Sequence, residues 1–221
     1  MPLQTLDFSP GAAAAATVIV MHGLGAAPTD FLSFVGSMDL SAIGPVRWVF
    51  PAAPIQAVTL NGGMEMPSWY DIRGMDIVSR QDEAGLRASA AEVQAVIDRE
   101  VALGVPASRI ILGGFSQGAV MALLTGLRAP QRLAGLLGMS GYLALASTTE
   151  AERSAANRDV PIFLGHGRQD GVVPFAAGVA ARDALVALGY AVEWRDYPMQ
   201  HGVAPQEERD INAWMLKVLS A

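Results

Sequence analysis

The sequence predicts an α/β fold, a mostly parallel central sheet with helices on both faces. Two observations carry the prediction. Continuous apolar runs of strand length recur along the chain, and stretches of helical periodicity lie between them. The runs are Thr17 to Met21, Val46 to Phe50, Arg109 to Phe115, Ala134 to Met139, Val160 to Gly165 and Ala191 to Tyr197, each bounded by Gly, Pro or Asp. Runs apolar on both faces suit strands covered on both sides, which is the condition of a parallel sheet.

The helical stretches follow in order. Leu86, Ala90, Val93, Ile97 and Val101 recur at spacings of three and four, and Gly104 and Pro106 stop that helix. A second runs from Phe175 to Leu188 and ends at Gly189, and a third, amphipathic, closes the chain from Pro205 to Leu219. Strands alternating with helices imply right-handed crossovers. At 221 residues, 52% of them hydrophobic, one core can be buried, and residues 1–221 are expected to form a single domain.

Two segments break the alternation. Residues 51–80 are long for a connection and rich in Gly, Pro, Met and aromatics, which marks a loop expected to border a substrate groove. Ser147 to Asp159 is polar and reads as a solvated surface excursion.

Composition excludes several classes of function. The net charge of −6 comes without a basic stripe, so nucleic acid and an anionic membrane surface are not expected partners. There is no cysteine, hence no disulfide, no thiolate metal site and no cysteine nucleophile. The three histidines, His22, His166 and His201, lack metal-site spacing, so no metal or other cofactor is expected. The N-terminus has neither a basic start nor a long apolar core, and the chain reads as a soluble, cytoplasmic monomer or homodimer without integral membrane association.

The chemistry is concentrated in a few places. The strand Arg109 to Gly113 leads into Gly114-Phe115-Ser116-Gln117-Gly118 and then into helix-forming residues, the context of a nucleophile elbow on an α/β-hydrolase fold. Glycines at 114 and 118 leave room for a sharp turn, and Ser116 is expected to carry a strained backbone. The pattern is weak alone and needs partners: a serine hydroxyl attacks only when a base takes its proton and an acid orients that base. On this fold the order is serine, acid, histidine. His201 follows the last apolar run, with Asp170 in the loop after the preceding one, where open α/β sheets place their sites. His166 ends a strand with no suitable acid before it, and is expected to orient rather than to act as base. Two backbone N–H groups should bind the oxyanion: Gln117, at the start of the helix after Ser116, and Leu24, in His22-Gly23-Leu24-Gly25 after an early strand. Nucleotide readings of these glycines fail. Gly23 to Pro28 lacks a third glycine, and Ala119 stands where a phosphate loop needs lysine.

Taken together, Met21-His22-Gly23-Leu24-Gly25, Asn61-Gly62-Gly63, Met66 to Ile72, Ile110 to Gly118, His166 to Pro174 and Tyr197 to His201 resemble the family of bacterial carboxylesterases and eukaryotic acyl-protein thioesterases, the phospholipase/carboxylesterase group. The stretch from Gly62 to Met66 is more similar to the bacterial branch. The resemblance covers nearly the whole chain and implies a serine hydrolase working through an acyl-serine, with Ser116, Asp170 and His201 as triad and Leu24 and Gln117 as oxyanion donors. It also implies a substrate groove including Trp69 and Tyr70, although a buried tryptophan beside Met66 and Ile72 also suits simple core packing. Leu60, Met66 and Val173 complete the expected substrate-binding set. The expected reaction is hydrolysis of short to medium acyl esters. An acyl-protein thioesterase or lysophospholipase with the same triad is the alternative, and a non-catalytic binding protein of this fold a remote one.

Overall fold

The structure is a computed structural model that describes residues 2–9, 11, 13–74, 76 and 80–220. Within the 51–80 loop, residues 75 and 77–79 lie outside the described residues.

Seven strands form the main sheet: β1 (Thr5–Phe8), β2 (Ala16–Met21), β3 (Val46–Pro51), β6 (Ile110–Phe115), β7 (Gly135–Met139), β8 (Ile162–Gly167) and β9 (Val192–Tyr197). Their order is β1-β3-β2-β6-β7-β8-β9. All pairings are parallel except that of β1, which runs antiparallel to β3 at the edge. The helices are α1 (Leu32–Ser37), α2 (Glu83–Ala102), α3 (Gln117–Arg128), α4 (Ala146–Glu152), α5 (Phe175–Ala187) and α6 (Pro205–Leu219). This is the α/β-hydrolase fold.

The continuous apolar runs are explained by burial on both faces. In β2, Ile19 and Met21 join one core with Leu86 and Val93 of α2, Val120 and Leu124 of α3, and Leu185 of α5. Val18 and Val20 point the other way, into a second core with Phe34 of α1 and Ile211, Trp214 and Met215 of α6. The same alternation divides Ile110 and Leu112 from Ile111, and Ile162 and Leu164 from Phe163. Burying one such side chain contributes about 1.5–3 kcal/mol, so both faces need covering.

Helix ends follow local chemistry. The backbone after α2 turns at Gly104 with φ of 97°, a conformation glycine adopts without steric cost. Pro205 opens α6 at a position where its missing N–H loses nothing.

The segments read as irregular contain structure. Residues 55–67 form a hairpin, β4 (Ile55–Val58) against β5 (Met64–Pro67), which pairs Gln56 with Met66 and Val58 with Met64. Gly62 and Gly63 supply the positive φ angles of 68° and 81° at its turn. The polar excursion holds α4 and a short 3-10 turn at Ala155–Asn157. Asn157 is fully buried there and donates to the Ala129 and Gln131 carbonyls, both at 2.8 Å.

Candidate active site

The three candidate triad residues follow the carboxyl ends of three strands. Ser116 follows β6 and caps α3 with φ 55° and ψ −120°, a strained conformation for a residue with a side chain. Its N–H donates to the Met139 carbonyl (2.9 Å), and its own carbonyl accepts from Ala119 (3.0 Å) and Val120 (3.2 Å). The turn is possible only because of its glycines. A Cβ on Gly118 would overlap the Met21 carbonyl, and one on Gly114 would overlap the Gly118 carbonyl.

Asp170 lies in the loop after β8 and His201 in the loop after β9. Backbone bonds hold these loops together: Arg168 N–H to the Tyr197 carbonyl (2.8 Å) and Gln169 N–H to the Met199 carbonyl (3.0 Å). Asp170 Oδ1 accepts from the N–H groups of Val172 (2.8 Å) and Val173 (2.9 Å), which fixes the carboxylate plane. His201 Nδ1 lies 2.7 Å from Asp170 Oδ2, and His201 Nε2 lies 3.0 Å from Ser116 Oγ. A carboxylate can only accept, so Nδ1 carries the proton and the Nε2 lone pair faces the serine hydroxyl. Phe115 packs on the imidazole with ring centroids 4.7 Å apart.

The two oxyanion candidates flank the serine. Gln117 opens α3, where a helix leaves its first N–H groups without intrahelical partners. The loop of Leu24 reaches the same place, since a Cβ on Gly23 would meet Ser116 Cβ at 3.2 Å. His22 shapes this loop. Its Nδ1–H donates to the Gly23 carbonyl (2.7 Å) and its Nε2 accepts from the Ala53 N–H (3.0 Å). Burial lowers its pKa, an effect the Gly23 hydrogen bond only partly opposes, and a neutral ring is what these two bonds require.

A cleft of about 290 Å³ adjoins the triad, bounded by Gly23, Ala26, Phe31, Phe115, His201 and Val203. A larger one, about 910 Å³, lies at the opposite end of the sheet among Pro161, Ala191, Trp194 and Trp214. Ser116, Asp170 and His201 do not line it.

The expected substrate-binding residues divide. Leu60 and Met66 lie on the hairpin segment with accessible surface, and the Met66 sulfur comes within 3.8 Å of where Gly25 would carry a Cβ. Trp69, Tyr70 and Val173 are 0%, 2% and 6% exposed and pack in the core. The Trp69 N–H groups are consumed by internal hydrogen bonds, the Tyr70 hydroxyl by that of Tyr142 (3.0 Å). Val173 serves through its backbone, its N–H on Asp170 and its carbonyl on His166. The exposed valine of that loop is Val172. Phe31, Phe115 and Val203 line the cleft and were not anticipated; nothing in their spacing distinguishes them from core residues. Among the described residues no cluster of three or more His, Asp or Glu side chains is arranged to hold a metal ion.

Residues 8–219 match the family model described as phospholipase/carboxylesterase. The chain belongs to this family. Acyl-protein thioesterase 1 of Schizosaccharomyces pombe is 41% identical over 184 residues, covering 83% of this chain and 81% of that protein. Acyl-protein thioesterase 1 of Yarrowia lipolytica is 37% identical over 219 residues, covering 97% and 96%. These phospholipase/carboxylesterase relatives are fungal thioesterases, which corrects the leaning toward the bacterial branch. Among solved structures of similar fold, Arabidopsis thaliana SOBER1 has a TM-score of 0.88 at 29% identity, covering 92% of this chain and 99% of that one. Zea mays acyl-protein thioesterase 2 has a TM-score of 0.86 at 29% identity, covering 98% and 99%.

Proposed function

We propose that this hydrolase cleaves acyl thioesters, and oxygen esters of similar shape, through an acyl-serine intermediate. The observation that carries the reading is the hydrogen-bonded run from Asp170 through His201 to Ser116. His201 Nε2 takes the hydroxyl proton as Ser116 Oγ attacks the acyl carbon. The carbonyl oxygen gains negative charge and receives the N–H groups of Leu24 and Gln117. Collapse of the tetrahedral intermediate expels the thiolate or alkoxide, which leaves with the proton from His201. A water molecule then repeats the sequence on the acyl-serine and releases the carboxylic acid. Asp170 holds the imidazole in the required tautomer throughout.

Two features favour a thioester over a small ester as substrate. Fungal relatives 41% and 37% identical to the chain are named acyl-protein thioesterases. The hairpin beside the oxyanion loop also exposes Ile55 (63%), Leu60 (42%) and Met64 (64%), an apolar surface suited to an acyl chain longer than the cleft alone holds. The test is hydrolysis of an S-acylated cysteine peptide, run beside labelling of Ser116 by a fluorophosphonate. Labelling together with release of free thiol is expected. A labelled enzyme inert toward the S-acyl peptide returns the reading to a carboxylesterase of small esters.

A further inference from the structure

An oxyanion hole works only if its two donors converge on one oxygen, and here they sit on different strands' loops. Pairing between β2 and β6 ends at Met21 and Gly114, before either Leu24 or Gln117 is reached. Beyond that point another element must set their separation. The Pro67 to Tyr70 segment, and Trp69 above all, spans the gap. The Trp69 indole Nε1–H donates to the His22 carbonyl (2.8 Å), at the root of the Leu24 loop. The Trp69 backbone N–H donates to Gln117 Oε1 (3.0 Å), on the side chain of the second donor residue. Gln117 Nε2 in turn donates to the Tyr70 carbonyl (2.9 Å), and the Gly25 N–H donates to the Pro67 carbonyl (2.8 Å).

The orientation of the Leu24 N–H follows from the same contacts. The Gly23 carbonyl accepts from His22 Nδ1 (2.7 Å) and from the Ala26 N–H (3.2 Å). In a trans peptide the Leu24 N–H points opposite to that carbonyl, so fixing one fixes the other. Trp69 is wholly buried, and its ring centroid lies 5.5 Å from that of His22.

We propose that Trp69 is a positioning residue that sets the spacing of the Leu24 and Gln117 oxyanion donors through one hydrogen bond to each loop. It does not touch substrate. The inference rests on the hydrolytic reading above. Mispositioning the donors weakens the transition state and leaves ground-state binding alone, so the signature is a loss in kcat with KM kept. Acylation and deacylation both use the hole, and both slow together.

The test uses Trp69→Phe, which keeps an aromatic ring and removes the indole donor, and Gln117→Met, which keeps the Gln117 backbone N–H and removes the side-chain anchor. Trp48→Phe, in the core on the sheet's other face, controls for the loss of a buried indole. Activity on p-nitrophenyl butyrate is measured per fluorophosphonate-titrated site, with inhibition by an alkyl trifluoromethyl ketone, whose enzyme adduct carries the oxyanion. For Trp69→Phe and Gln117→Met, kcat should fall about ten- to a hundred-fold with KM within about twofold, and the ketone Ki should rise in parallel. Trp48→Phe should lower Tm alone. A Trp69→Phe enzyme that loses stability but keeps kcat and ketone affinity overturns the proposal. If that variant does not fold, wild-type values for Gln117→Met overturn it equally. A wild-type chain that neither labels nor hydrolyses overturns the hydrolytic reading and this inference together, before any variant is compared.

Discussion

His166 Nε2 lies 3.0 Å from the Val173 carbonyl and 3.5 Å from Asp170 Oδ2, the oxygen that His201 Nδ1 approaches at 2.7 Å. Its Nε2 proton is committed to Val173, and burial lowers its pKa, so the ring stays neutral and braces the Asp170 loop. His201→Ala should therefore abolish turnover. His166→Ala should lower Tm while keeping kcat within about tenfold, since the base remains in place. Steady-state kinetics with thermal melts of both variants decide this. The reverse pattern would remove His201 from its role.

Ser116→Ala should fold and lose several orders of magnitude in rate, because the remaining site only binds and polarises the ester. Gly118→Ala is expected to behave differently. Its methyl group would meet the Met21 carbonyl in β2, a backbone atom unable to move aside. That variant should lose both activity and several degrees of Tm, and a Gly118→Ala protein with wild-type melting would contradict the close approach of Gly118 to the Met21 carbonyl.

Glu207, in the first turn of α6, is fully buried, and neither carboxylate oxygen has a hydrogen-bond partner among the described residues. It sits against Gly165, where any Cβ would collide with it. Burial pushes its pKa up to about 8 from an ordinary 4.5. Asp210 and Glu208 add to this, while the Ala204 N–H, outside hydrogen-bond geometry, offsets only part of it. Below pH 4.5 the folded and unfolded chains are both protonated there and its contribution is intact. Between 4.5 and about 8 the unfolded chain alone ionises, so stability falls by roughly 1.4 kcal/mol per pH unit from this group. His22 and His166 act in the opposite direction: their lowered pKa values give stability that is present above pH 6.5 and lost as pH falls below it. Glu207→Gln should remove the alkaline loss. Melting curves of both proteins at pH 5 and 8.5 are the measurement, and equal losses would show that Glu207 does not titrate in this range.

Legibility in the sequence tracked how far a signal was local. The five interior strands, β3, β2, β6, β7 and β8, were visible because each carries apolar residues on both faces, as burial between two cores demands; β9, at the far edge, was read as a strand although its charged residues leave it only partly buried. The edge strand Thr5–Phe8 was not, since partial exposure breaks the apolar run. The β4–β5 hairpin was hidden because its exposed Ile55 and Met64 imitate core residues. The helix Ala146–Glu152 was obscured by Ser and Thr, which favour turns. At the site, the elbow at Ser116 was a local pattern, and Asp170 and His201 were expected from the serine, acid, histidine order of this fold; the three lie within hydrogen-bond distance in the order Asp170, His201, Ser116. The place of Trp69 could not be read, because its partners, His22 and Gln117, lie 47 and 48 residues away and meet it only through the tertiary fold. Glu207 was unreadable for a similar reason: on a surface-patterned helix, only the glycine at 165 across the interface makes room to bury a carboxylate.

The cleft beside His201 has a volume of about 290 Å³, and the hairpin next to the Leu24 loop exposes Met64 and Leu60, with Met66 partly exposed. Each methylene buried contributes about 0.8 kcal/mol, or roughly a fourfold gain in kcat/KM, until the chain outruns the surface that covers it. Methionines adapt to chains of different length, so the rise should be smooth and the optimum broad. Peptides carrying the same acyl group on cysteine or on serine separate the two chemistries, since they differ only in the leaving atom. Over an acyl series from acetyl to palmitoyl, kcat/KM for the S-acyl peptides should climb through medium lengths and exceed that of the O-acyl partners throughout. Met64→Ser should flatten the climb beyond the first few carbons, leaving acetyl turnover unchanged. A series that peaks at acetyl, with Met64→Ser indistinguishable from wild type, would show that the hairpin takes no part in binding the acyl chain and that the cleft alone sets specificity.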